Sequence, residues 1–103
     1  MGIDARIESE PGEAIEVLYD LDNLVKMLLP YLNDKSSIYL RFIYPYGNTT
    51  FNQSQLPVVI RELTLAIIDK ASSLNVIAHG QKLLDLAENA NGQAHNYLKF
   101  VGD

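Results

Sequence analysis

The chain has 103 residues, 48% of them hydrophobic and 20% charged, with a formal net charge of −5. That length suits a single domain over residues 1–103 with its own core, while the acidity opposes nucleic-acid and anionic-membrane partners, both of which need clustered Lys and Arg. Cysteine is absent, which excludes disulfides and thiolate metal sites and fits a cytoplasmic setting.

In chain order, Met1–Ala5 lacks the basic-then-apolar pattern of a secretory signal, and Arg6 breaks the myristoylation pattern that Met1-Gly2 begins. Ile3–Glu8 alternates apolar and charged side chains and reads as a half-exposed strand. Pro11-Gly12 is a turn signal, and Ala14–Leu18 returns as the second strand of a hairpin. Asp20 or Asp22 can cap a helix whose stripe is Leu21, Leu24, Val25 and Leu28, ended by Pro30. After the polar turn 33–36, residues Ser37–Tyr44 read as a strand closed by Pro45-Tyr46-Gly47-Asn48.

Ser54 is the expected cap of the next helix, with Pro57 tolerated in its first turn. Leu56, Val59, Ile60, Leu63 and Ile67 form its stripe, and Val58, Leu65 and Ile68 widen it, as if the helix were covered on more than one side. Pro57, Arg61 and Glu62 make this stretch too polar to span a bilayer. Ser72–Asn75 breaks the pattern; Val76, Gly80, Leu83, Leu84 and Ala87 define a third helix stopped by Asn91-Gly92. Gly80 permits a close helix approach or marks a weak point. The last strand runs from about His95 to Val101.

Tyr39-Leu40-Arg41-Phe42-Ile43 returns as Tyr97-Leu98-Lys99-Phe100-Val101. Paired as neighbouring antiparallel strands, the copies would put Leu40, Phe42, Leu98 and Phe100 in the core and Tyr39, Arg41, Tyr97 and Lys99 on the opposite face. The expected fold is two-layer α+β: an antiparallel or mixed sheet of about four strands with about three helices on one face.

Two surfaces stand out as candidate sites. Tyr39, Arg41, Tyr97 and Lys99 would interleave rings with cations, an arrangement that RNA-binding sheets use; the acidity favours an ordinary solvated face or a protein partner instead. The loop from Tyr44 to Asn52 offers Tyr44, Tyr46, Phe51 and Asn48 among small polar residues, suited either to gripping a partner or to folding its rings onto the sheet. Asp20-Leu21-Asp22-Asn23 lacks the ligand spacing of a calcium loop, and His79 and His95 form no zinc spacing, so no metal or other cofactor is expected. Glu8, Glu10, Glu13 and Glu16 read as an exposed acidic hairpin that discourages edge-to-edge aggregation. Neither a nucleophile elbow nor a phosphate-cradling glycine loop is present.

The segment Leu40–Asn52, with its LRF-x-x-PYG pattern, and the terminal Tyr97-Leu98-Lys99-Phe100-Val101-Gly102-Asp103 resemble a group of small uncharacterised bacterial proteins over about two thirds of the chain. The resemblance implies a self-contained bacterial domain and supplies no catalytic residues. The functional expectation is a non-enzymatic protein-interaction module, with immunity-like binding of a basic target as one form and self-association as another. Its interaction residues are Tyr39, Arg41, Tyr44, Tyr46, Asn48, Tyr97 and Lys99. The alternative is a small-molecule binder or enzyme using Arg41, Asn52 and His95 in a pocket between the PYG turn and the helix ends.

Overall fold

Residues 2–102 are described by the computed structural model, which folds them into a four-stranded antiparallel sheet and two α-helices. The elements are β1 (Asp4–Glu8), β2 (Ala14–Leu18), β3 (Asn48–Phe51), α1 (Leu56–Lys70), α2 (Leu74–Asn91) and β4 (Tyr97–Val101), and the sheet order is β2-β1-β4-β3. The α+β class and the antiparallel sheet follow the sequence reading; the helix count does not, because only two of the three expected helices form.

The hairpin forms where alternation and Pro-Gly place it. Gly12 takes the left-handed φ of 94°, and Ser9 and Glu13 close the turn through Ser9 N to Glu13 O at 2.9 Å. One face of β1 buries Ala5 and Ile7, and the matching face of β4 buries Leu98 and Phe100. Both sets join one core with Phe51, Leu56, Val59, Leu63, Leu83 and Ala87. Phe51 meets Phe100 edge-on at 6.0 Å between ring centres, a favoured quadrupolar geometry. α2 packs on β1, β2 and β4, and α1 packs on α2. At that helix crossing a Cβ on Gly80 would lie 2.8 Å from Ile67 Cγ1 and 3.2 Å from Leu28 Cδ1, so Gly80 marks a close approach rather than a weak point.

Two expected elements are replaced, and in each a carboxylate takes over the backbone: the neighbouring Asp20 in the first and the distant Glu62 in the second. Residues 21–28 form only a 3₁₀ turn, Val25–Met27. The buried Asp20 side chain accepts the N–H groups of Leu24 at 2.6 Å, Val25 at 3.1 Å and Ile3 at 3.0 Å. Asn23 sits at φ 57°, which interrupts helical geometry. Asp20 thus caps as expected, but what it caps is one turn tied to the start of β1.

The second replacement is the first copy of the near-repeat. Leu40–Phe42 is a 3₁₀ turn and not a strand. Glu62 on α1 accepts Ser37 Oγ at 2.5 Å, Ile38 N at 3.1 Å and Tyr39 N at 2.9 Å, and Ser37 Oγ in turn accepts Arg41 N at 3.1 Å. With these donors held, Phe42 N and Ile43 N close i→i−3 bonds to Tyr39 and Leu40. Burial then follows a period of three, at Ser37, Leu40 and Ile43, as a 3₁₀ turn requires. Phe42, expected in the core, is 51% exposed.

The strand that pairs with β4 is β3 instead, with Thr49 opposite Phe100 and Phe51 opposite Leu98. The expected Ser54 cap of α1 is not formed: Gln55 stands at the N-cap without a side-chain cap bond, and the turn ahead of it is closed by Asn52. Asn52 Oδ1, not Ser54, accepts Gln55 N at 3.2 Å, while Ser54 Oγ donates to Asn52 Oδ1 at 2.7 Å. Ser73 caps α2 by accepting Val76 N at 3.3 Å. Gln53, in the turn ahead of α1, ties that turn to the end of α2 and the segment after it: its amide nitrogen lies within 2.8, 2.9 and 2.8 Å of the carbonyls of Ala90, Gln93 and Asn96. Two N–H groups therefore serve three acceptors, and one is shared.

Candidate interaction surface

From the end of the 3₁₀ turn to β3 the chain presents three large rings to solvent: Phe42, Tyr44 at 57% exposure and Tyr46 at 74%. Their backbone is held at several points. Tyr44 N donates to Thr49 Oγ1 at 3.1 Å and Gly47 N to Tyr44 O at 3.4 Å. Gly102 N, just past β4, donates to Gly47 O at 2.7 Å. Gly102 passes so near the turn that a Cβ there would lie 2.3 Å from Pro45 O.

The rings are also ordered against one another. Tyr44 and Tyr46 meet edge-to-face at 5.9 Å. The Tyr44 ring lies across Gly47, where a Cβ would come within 2.6 Å of Tyr44 Cδ2. Arg41 sets its guanidinium 4.6 Å from the Phe42 ring centre, a cation–π geometry. Its Nε is shielded from water without a hydrogen-bond partner among the described residues.

Of the residues singled out from sequence, Arg41, Tyr44, Tyr46 and Asn48 thus follow one another along this turn and the start of β3. The other three lie elsewhere. Tyr39 is half-buried and packs on Phe51 at 5.8 Å. Tyr97 and Lys99 alternate with buried Leu98 and Phe100 and occupy the opposite face of the sheet. The expected four-residue face of Tyr39, Arg41, Tyr97 and Lys99 is therefore not formed, because its first half is not a strand. On the outer face Glu8, nearly buried, lies 2.6 Å from Arg6 Nε and 3.6 Å from Lys99 Nζ.

The residues of the ligand-binding alternative are not gathered either. Asn52 is engaged in the turn ahead of α1, accepting Gln55 N. His95, at φ 66°, is exposed, with Nδ1 3.5 Å from Glu10 Oε2. Two concavities are prominent, and neither is lined by Arg41, Asn52 or His95. One, of about 200 Å³, has Leu28, Leu40 and Leu65 in its wall and Asp34, Glu62 and Lys70 around it. Of its three carboxylates, Asp34, Glu62 and Asp69, two serve the fold: Glu62 is committed to Ser37, Ile38 and Tyr39. Asp34 accepts the hydroxyl of Ser36 at 2.6 Å and its N–H at 3.0 Å, bonds that hold its carboxyl below the ordinary value of 3.8. The other concavity, about 470 Å³, lies between β2 and the C-terminal end of α2.

Among the described residues no three His, Cys, Asp or Glu side chains converge to hold a metal ion, and no helix is long and apolar enough to cross a membrane. His79 Nε2 lies 3.7 Å from Asp20 Oδ1, an oxygen already accepting Leu24 N. Sequence reasoning missed the organising role of Glu62, whose signal was an acidic residue inside an otherwise apolar helical run. It also missed β3, whose signal was the β-branched and aromatic run Thr49-Thr50-Phe51. Comparison with known proteins matches the chain to no family model, no curated protein and no solved structure.

Proposed function

We propose that this chain is a protein-interaction module whose anchor is the aromatic turn from Phe42 to Tyr46. The observation that carries this reading is the combination of exposed rings with a pinned backbone. Rings half or more in solvent forgo part of the roughly 1.5–3 kcal/mol that full burial of a large apolar side chain supplies, and a partner that covers them recovers some of it. Because β3 and Gly102 fix the turn beforehand, little conformational entropy is lost when a partner docks. Tyr and Arg are the side chains that most often dominate such contacts.

The test is affinity capture from the native lysate with the wild-type chain and a Tyr44→Ala, Tyr46→Ala variant, read by mass spectrometry. A stoichiometric partner lost with the variant, whose circular dichroism and melting stay unchanged, supports the module. Retention of every partner by a folded variant refutes the turn as the anchor. Sedimentation over a concentration series shows whether the partner is a second copy of the chain.

A further inference from the structure

The aromatic turn lies beside β3, at one end of the sheet; the other end is β2, which among the described residues has no neighbouring strand on its outer side. Its residues Ala14–Val17 are exposed and only Leu18 is half-covered. Ile7 pairs with Glu16 and Glu8 with Ala14, so Ile15 is the extra residue of a bulge. Beside it opens the concavity of about 470 Å³, with Ile7 at its base and Ile15, Glu16 and Glu88 among its walls. The lining contains two carboxylates and no cation.

We infer that the edge of β2 is a strand-addition site for an extended segment of a partner protein in which Lys or Arg alternates with apolar residues. Backbone pairing along β2 supplies the affinity of such a contact, and alternate side chains supply its selectivity. On the helix side, Glu16 and Glu88 attract the basic side chains into the concavity. On the outer side, the apolar residues cover Val17 and the flank of the sheet. A second copy of the chain is a poor occupant: it would bring another acidic edge, with Glu13 and Glu16, against the first. This surface is separate from the aromatic turn and does not depend on it.

The probe is a synthetic decapeptide alternating Lys and Val, titrated into isotope-labelled protein beside a Lys-Gly decapeptide of equal charge. The expected result is shifted amide signals over residues 14–19 and 88–96, with the Lys-Val peptide binding at least tenfold tighter than the Lys-Gly one. A Glu16→Lys, Glu88→Lys variant, checked for an unchanged melt, should weaken binding at least tenfold. The Tyr44→Ala, Tyr46→Ala variant should bind within twofold of wild type. Equal binding of both peptides, indifference to the Glu variant, or no binding at all overturns the proposal. Loss of peptide binding in the Tyr variant alone would also overturn it, while leaving the aromatic turn as the partner site.

Discussion

Replacing Glu62 with Ala tests whether the 3₁₀ turn is made by a long-range contact or by its own sequence. The carboxylate receives three hydrogen bonds from residues 23 to 25 positions earlier in the chain. Bonds to a charged acceptor contribute roughly 1.5–3 kcal/mol each when shielded, and less where water can replace the partner. Ile38 N is exposed, so its bond counts for little, whereas Ser37 is buried and Tyr39 half-buried. The expected loss is therefore about 2–4 kcal/mol, a large share of the roughly 5–15 kcal/mol that holds a domain of this kind together.

Urea titration by circular dichroism reads the loss as a lower midpoint at unchanged slope. A double-mutant cycle with Ser37→Ala should return a coupling of at least about 1 kcal/mol. Glu62→Gln, which keeps a neutral acceptor, should fall between wild type and Glu62→Ala. A loss below about 1 kcal/mol for Glu62→Ala, with no coupling to Ser37, would mean that the turn forms from local preference and that the argument is wrong.

Phe100→Ala should cost about 3–5 kcal/mol, because the ring is fully buried, while Phe42→Ala should cost less than about 1 kcal/mol; equal losses in urea titrations would contradict the assigned faces. Gly80→Val should destabilise by about 1–3 kcal/mol through crowding against Ile67 and Leu28, and an unchanged or raised melting temperature would show that the crossing can relax. Asp34 should titrate below 3.8 in a carbon-detected NMR series, and Ser36→Ala should return it toward that value. Because its folded-state value is depressed, whatever stability the group contributes is present above the ordinary value and is lost as pH falls through the depressed one. A midpoint above 3.8 in the wild type would refute the Ser36 assignment.

The elements that could be read from the sequence are those whose partners are close in the chain. The β1–β2 hairpin follows from alternation and Pro-Gly, and both long helices follow from their apolar periods. Leu98 and Phe100 reach the core as expected, with β4 shorter at its start. What could not be read depends on contacts made across the chain, by Glu62 to residues 37–39 and by Asp20 to Ile3. The period-two run from Tyr39 to Ile43 has strand propensity, but Glu62 and Ser37 hold its donors and a period-three burial wins. The Leu21–Leu28 stripe likewise has helical spacing, yet Asp20 and the left-handed Asn23 confine it to one turn. At the candidate surface, the rings of Tyr44 and Tyr46 were visible as composition; their fixation by Thr49 and Gly102 was not, because it depends on where β4 ends.

The sheet order has a consequence for the timing of folding. β4 is the last strand to be synthesised, yet it lies between β1 and β3 and pairs with both. A nascent chain that ends before Tyr97 therefore holds a hairpin and an isolated strand with a gap between them, and each has an unsatisfied edge facing that gap. Local helix formation can proceed during this interval, but the long-range pairing that completes the sheet must wait for five residues. The central seam of the sheet is thus the last of these pairings to close, and until then its two inner edges are open to mispairing.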